Sequence, residues 1–308
     1  MKVLVTGGAG FIGSHIVDEL VCKGYEAVIV DNLSTGKKEN INPKAKFYEQ
    51  NIVDSSLIRV FTKEKPDYVI HQAAQVDVQA SIKDPIFDAK VNILGFLNVL
   101  ECCVKSNVKK IVCASSAAVY GKPKYLPIDE NHPLNPESGY GLTKSVMSRY
   151  LGIYHQLYGL NYTVLRYSNV YGPRQDAGGE GGVVAIFINK LLSNKDLFIF
   201  GNGEQTRDFI FVKDAAHANI MALEKGDNAV LNISSKTQIS IQGLFERIKY
   251  LTKKEKEPIY TESRKGDILH SCLDNTNAKK ILHWEPVWSL DDGLRDTINY
   301  YINIYGGK

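Results

Sequence analysis

The amino-acid sequence predicts an α/β protein whose core is a doubly wound parallel sheet. Two patterns carry that prediction. Short β-branched or apolar runs alternate with amphipathic segments of helical length, and a glycine cluster joins the first such run to the first such segment. In chain order, Val3 to Val5, Ala27 to Val30, Lys46 to Tyr48, Tyr68 to Ile70, Lys110 to Ala114 and Tyr162 to Leu165 read as strands. Phe11 to Cys22, Asp88 to Val104 and Tyr140 to Tyr158 read as helices between them. After about Gly172 the alternation loosens into a glycine-rich loop (Gly178, Gly179, Gly181, Gly182) and mixed short elements, which read as a smaller lobe. Phe209 to Val212, Ala215 to Leu223 and Val230 to Ile233 are expected to rejoin the first sheet. Two interleaved domains follow: residues 1–171 with about 209–234 form the doubly wound domain, and about 172–208 with 235–308 form a smaller mixed α/β C-terminal lobe.

A chain of 308 residues has room for one large or two ordinary domains at about 150 residues each. Its 44% hydrophobic and 23% charged residues are those of a globular protein and exclude a disordered or fibrous one. With 37 basic against 34 acidic residues the net charge is only +3, so no nucleic-acid partner is expected. Five cysteines (Cys22, Cys102, Cys103, Cys113, Cys272) show no CxxC or Cys/His ligand spacing, so neither a disulfide framework nor a metal site is indicated. No window approaches the roughly 18 apolar residues of a membrane span or the layout of a secretory signal, which makes a reducing cytoplasm the expected compartment.

Gly7-Gly8-Ala9-Gly10-Phe11-Ile12-Gly13 follows the first strand and opens the first helix. Glycines at 7, 10 and 13 allow a tight turn, close approach to a pyrophosphate and tight helix packing, while the helix N-terminus attracts the anion. Asp31, at the end of the second strand, offers a carboxylate to a ribose hydroxyl and repels a 2′-phosphate, so this Rossmann-type arrangement favours NAD over NADP. Lys37 and Lys38 read as a solvated face. Tyr140 and Lys144 stand at an i, i+4 spacing on one helix face, where an ammonium is expected to lower the phenol pKa toward the range of a general acid or base. Alone this pair has a plain surface reading. The upstream nucleotide loop and Ser115-Ser116 at the end of a strand favour chemistry.

The glycine pattern, the Ser116 segment and the Tyr140/Lys144 pair together resemble the extended short-chain dehydrogenase/reductase family, over essentially the whole chain. His71-Gln72-Ala73-Ala74-Gln75, Asn92, the run from Arg166 to Arg174, Gly201 to Phe209 and Arg264 to Asp267 narrow the resemblance to the UDP-hexose 4-epimerases of bacteria and archaea. That resemblance implies Ser116, Tyr140 and Lys144 as catalytic residues. It implies NAD contacts from Gly7, Gly10, Phe11, Ile12, Gly13, Asp31, Asn32, Asn51, Ile52, Ala73, Ala74, Gln75, Asn92, Tyr140, Lys144 and Tyr167. It also implies UDP-sugar contacts from Ser116, Tyr140, Asn169, Val183, Arg207, Arg264, Asp267 and Ser271, and a homodimer built from the helices around Asp88 to Val104 and Tyr140 to Tyr158. Leu97, Val99, Leu100, Met147, Leu151 and Tyr154 are numerous enough to cover both the sheet and a partner. His71 reads as a core histidine. Two departures stand out: Asn51 where an Asp is usual near the adenine, and Gly139 before the tyrosine where Pro is frequent.

Similar nucleotide-sugar dehydratases carry an Asp-Glu pair directly after the serine, and decarboxylases of UDP-glucuronate carry a Glu at the position of Ala118. Here Ala117 and Ala118 occupy those positions, which leaves epimerisation through a 4-keto sugar. The resemblance also implies that Ser271 stands beside the sugar's C2 substituent, where a small residue goes with acceptance of N-acetylated sugars. A UDP-glucuronate 4-epimerase and a non-catalytic NAD-binding regulator of the same fold remain open as alternatives.

Overall fold

The computed structural model describes residues 1–178, 182–263 and 268–306. In the first half, strands β1 (Lys2–Thr6), β2 (Glu26–Asp31), β3 (Lys46–Glu49), β4 (Tyr68–His71), β5 (Lys110–Ser116) and β6 (Asn161–Tyr167) alternate with helices. The helices are α1 (Phe11–Cys22), α2 (Leu57–Glu64), α3 (Val78–Lys83), α4 (Pro85–Ala89), α5 (Phe96–Lys105) and α6 (Gly139–Tyr158). Then come β7 (Asn169–Tyr171), α7 (Val183–Leu192), β8 (Phe198–Phe200), β9 (Thr206–Arg207), β10 (Phe209–Phe211), α8 (Val212–Glu224) and β11 (Ala229–Ile233). The chain ends with β12 (Ile239–Ser240), α9 (Ile241–Thr252), β13 (Ile259–Thr261), α10 (Thr276–Leu282) and α11 (Leu290–Gly306).

Seven strands form one sheet in the order β11-β6-β5-β4-β1-β2-β3, with every neighbouring pair parallel. The chain winds outward from β1 to β3, then restarts on the other side of β1 with β4. At such a reversal the strand C-termini open a crevice where ligands bind. One apolar cluster joins Val3, Val5 and Ile29 to α1 and α8, and a second joins Leu4, Val28 and Val69 to α2, α5 and α6, so both faces are covered. Alternate strand residues feed the two clusters, as the pleat requires. A third cluster gathers α7, α9 and α11 around β8 and β10.

Two expectations need correction. Phe209–Phe211 is a strand, yet it pairs in parallel with Asn169–Tyr171 in a separate two-stranded sheet, and only Ala229–Ile233 returns to the main one. The expected helix from Asp88 to Val104 is broken into the end of α4, a π-helical turn at Lys90–Gly95 and α5. That turn brings Gly95 against Ile52, whose Cδ1 would lie 2.8 Å from a Cβ at this position. The expected interface set divides by burial. Val99, Leu100, Met147 and Leu151 are buried in the sheet-side core, and Leu97 and Tyr154 pack against it. Among the described residues, no helix is long and apolar enough to cross a membrane.

Candidate active site

The glycine loop is held by close approaches that only glycine permits. Gly7 has φ +72°, and a Cβ there would lie 2.6 Å from the Ala73 backbone nitrogen; one on Gly13 would lie 2.0 Å from the Gly7 carbonyl oxygen. At Gly10 the one atom near a Cβ is Gly7 O at 3.2 Å, so that position is crowded on this side alone. Gly10 caps α1 without a side chain, and no acidic residue stands in the first turn. The first N–H groups of a helix have no intrahelical acceptor, so those of Phe11, Ile12 and Gly13 can receive an anion. Asp31, 7% exposed, accepts from Ala9 N (3.0 Å) and Leu33 N (2.8 Å) and keeps further lone pairs for hydroxyl donors. Lys37 and Lys38 are exposed and Lys38 pairs with Glu49, as a solvated face does. A glycine turn, an uncapped helix end and a carboxylate on the next strand fit a dinucleotide with free ribose hydroxyls.

Several other expected cofactor contacts lie at or just after the C-terminal ends of β2, β3, β4 and β6. Ala73 and Ala74 are half-buried after β4. Gln75 and Asn92 are tied together: Gln75 N donates to Asn92 Oδ1, and Asn92 Nδ2 donates to Gln75 O, both at 2.9 Å. Asn32 is exposed and accepts from Ser34. Asn51 is half-buried; its Oδ1 accepts from Val53 N at 3.1 Å, which fixes a turn in place of the usual aspartate. Tyr167 is buried, and its hydroxyl is engaged by Asn219 and Gln72, which leaves only the ring for a cofactor contact. His71 is 1% exposed, bonded to Thr6 Oγ1 at 2.8 Å and pushed down to about 3 by burial: the core histidine expected.

Ser138 caps α6 through a bond from Gly141 N (3.1 Å), which brings Tyr140 and Lys144 onto the face beside β5. Gly139 is explained by contact, since a Cβ there would lie 3.0 Å from Ser81 O of α3. Lys144 is 3% exposed, donates from Nζ to Ala114 O (3.1 Å), and is pushed down to about 8 by burial. Tyr140 keeps some exposure and is hydrogen-bonded by Ser116. Its phenol is raised above the ordinary value by burial, Ser116 works the other way, and the charge of Asp88 adds to the rise. The expectation that Lys144 makes this phenol more acidic is therefore not met in the protein by itself, where burial dominates. Sequence reasoning also missed Asp88 and Thr143. Asp88 stands at i−4 from Asn92 and Thr143 between Tyr140 and Lys144, a spacing that could have revealed them.

A second group assembles where β6 ends. Ser116 and Tyr167 are register partners, and the chain then runs through Ser168 into β7. Asn169, exposed, donates from its backbone to Asp208 O at 2.9 Å, which places it beside Arg207. Arg207 donates to Thr206 O, and Ser271 N donates to Thr206 O at 3.2 Å, so Asn169, Arg207 and Ser271 share one neighbourhood. Asp208 is spent on Ser168, Ser235 and Leu273. Val183 is half-buried at the start of α7. Arg264 and Asp267 lie outside the described residues.

Comparison with known proteins gives concordant matches. The NAD dependent epimerase/dehydratase family matches residues 3–234. A crystal structure of UDP-glucose 4-epimerase with UDP-glucose from Thermotoga maritima is 48% identical, covers 99% of this chain and 100% of its own, and has a TM-score of 0.97. UDP-glucose 4-epimerase of Mycolicibacterium smegmatis is 39% identical over 310 residues, spanning 98% of this chain and 99% of its own. UDP-N-acetylglucosamine 4-epimerase from Methanobrevibacter ruminantium, in complex with UDP-N-acetylmuramic acid, is 38% identical with a TM-score of 0.94 and covers 98% of both chains.

Proposed function

This chain belongs to the NAD dependent epimerase/dehydratase family, and from that premise we propose that it inverts the C4 configuration of UDP-hexoses, with NAD recycled on the protein. The observation that supports the reading is the Ser116–Tyr140 hydrogen bond with Lys144 fixed to Ala114 O on the same strand, β5, in a sheet whose first strand leads into the glycine loop. Residues 1–171 with 209–234 would hold NAD, and 172–208 with 235–308 the UDP-sugar.

NAD, which the glycine loop and Asp31 would hold, would supply reversible hydride acceptance at C4 of the sugar. The chain's own residues manage the proton. Ser116 holds the reacting oxygen, and Tyr140 takes the C4 hydroxyl proton as base and gives it back as acid. Lys144, buried and fixed to Ala114 O, would be the cation toward the nicotinamide ribose. Ala117 and Ala118 add no acid or base beyond the serine, so nothing diverts the 4-keto sugar into elimination or decarboxylation. Asn169, Arg207, Val183, Arg264 and Asp267 would bind the nucleotide, and Ser271 leaves room for an N-acetyl group at C2. Incubation with UDP-galactose should yield UDP-glucose, and NAD should be released on denaturation. No conversion of UDP-galactose, UDP-N-acetylgalactosamine or UDP-galacturonate would refute the reading.

The homodimer belongs to the same proposal. On α4, the π turn and α6 the side chains of Ile86 (81% exposed), Leu94 (60%), Leu142 (54%) and Leu157 (67%) lie open. Single exposed apolar residues are ordinary, but a set on packed neighbouring helices marks an interface. Light scattering should give twice the chain mass, and Leu157→Glu should shift it toward one. Cytoplasmic placement is supported by five thiols that are all free.

A further inference from the structure

Asp88 is a carboxylate that neither the glycine loop nor the tyrosine–lysine pair accounts for. It is 1% exposed. Its Oδ1 accepts from Gln75 Nε2 and Asn92 Nδ2, each at 2.9 Å, and its Oδ2 accepts from Thr143 Oγ1 at 3.1 Å. Three segments meet there: the loop after β4, the π turn and the first turns of α6. Each of these three donors is neutral. An anion buried on neutral donors is costly, and an amide of the same shape would join the same segments at lower cost, so the charge itself calls for a role.

The groups that face this charge are few. They are Tyr140 and Lys144, both on α6, and Thr143 Oγ1, bonded to Asp88 Oδ2, is also bonded to Tyr140 O at 3.0 Å; Cys113 on β5 and His71 on β4 face Lys144. Burial keeps His71 and Cys113 neutral, which leaves Asp88 as the charge that acts on the phenol and Lys144 as its opposite on the same helix. We propose that Asp88 is a positioning residue for the proton-transfer pair: its carboxylate holds Gln75, Asn92 and Thr143 in one arrangement and sets the field in which Tyr140 exchanges its proton. In the epimerase reading, on which this rests, one tyrosine is the base of the first half-reaction and the acid of the second. A phenol made too acidic would be a weak base, slow to take the C4 hydroxyl proton though quick to return it, and a nearby negative charge guards against that imbalance.

The test is a titration of Tyr140 by tyrosinate absorbance, isolated by subtracting the Tyr140→Phe protein in each background. In Asp88→Asn the Tyr140 midpoint is expected to fall by about one pH unit, and the acid limb of kcat/KM for UDP-galactose should move the same way. Asp88→Glu, which keeps the charge, should return the midpoint toward wild type. A folded Asp88→Asn protein, by circular dichroism, with an unmoved midpoint would overturn the proposal; should that variant not fold, Asp88→Ser carries the same expectation. The titration needs no turnover, so an inactive wild type would refute the epimerase reading while leaving this one to its own result.

Discussion

Replacing Lys144 by methionine should make the nucleotide-free protein more stable at neutral pH while stopping turnover. Lys144 is 3% exposed, with Ala114 O as acceptor for Nζ. Burial lowers its ammonium from 10.5 to about 8, which at about 1.4 kcal/mol per pH unit corresponds to a folding penalty of about 3 kcal/mol. Methionine has a comparable unbranched length and fills the same channel without charge; loss of the bond to Ala114 O returns about 1 kcal/mol. A net gain of about 2 kcal/mol is expected at pH 7. The folded chain binds this proton less tightly than the unfolded chain does. The penalty is therefore full below pH 8, shrinks between about pH 8 and 10.5, and vanishes above. Urea unfolding of both proteins across that range reads the difference directly. A Lys144→Met protein no more stable than wild type at pH 7, or a gap that does not narrow with rising pH, would refute the reasoning.

Further outcomes follow from the site. Tyr140→Phe should lower kcat by roughly 10²- to 10⁴-fold with UDP-sugar affinity nearly unchanged, since only the proton-carrying hydroxyl is lost; equilibrium binding and turnover together check it. Ser271→Tyr should remove activity on N-acetylated sugars and spare plain hexoses, because overfilling a packed site costs about 1 to 3 kcal/mol; kcat/KM for both classes decides. Gly13→Ala would set a Cβ 2.0 Å from the Gly7 carbonyl oxygen, so the loop must open. Its purified protein should carry far less NAD than wild type, and a normal NAD content would contradict the close-packed reading of the loop.

The nucleotide half was the more legible in sequence because its signals are local. The helix read at Phe11 to Cys22 has those bounds, and six predicted strands appear with at most two residues added at either end. Glycine chemistry and apolar periodicity act over a few residues, so the chain displays them directly. Partnership is not local. Phe209–Phe211 announces a strand, but whether it joins the main sheet or Asn169–Tyr171 depends on residues far along the chain. The same limit explains the interface residues: periodicity tells that α6 is apolar, not that Met147 turns inward while Leu142 and Leu157 turn out. The sign of the shift at Tyr140 was hidden for a third reason. Spacing reveals a lysine neighbour but not how deeply the phenol is desolvated, nor that Asp88 stands near it.

The path of the chain between the sheets bears on how this molecule can be divided. It leaves the main sheet after Tyr167, builds β7, wanders through α7 and the short strands, pairs β10 back onto β7, and regains the main sheet only at β11. A fragment ending near Gly172 would keep the glycine loop, Ser116, Tyr140 and Lys144. It would also bare the whole outer edge of β6, an invitation to strand addition by a second copy, and strip α8 from one face of the sheet. The cofactor half is thus not a cassette that can be cut out at one point and moved. Inheritance, engineering or proteolysis must treat the two halves as a single heritable unit, stitched together by the strand that comes home last.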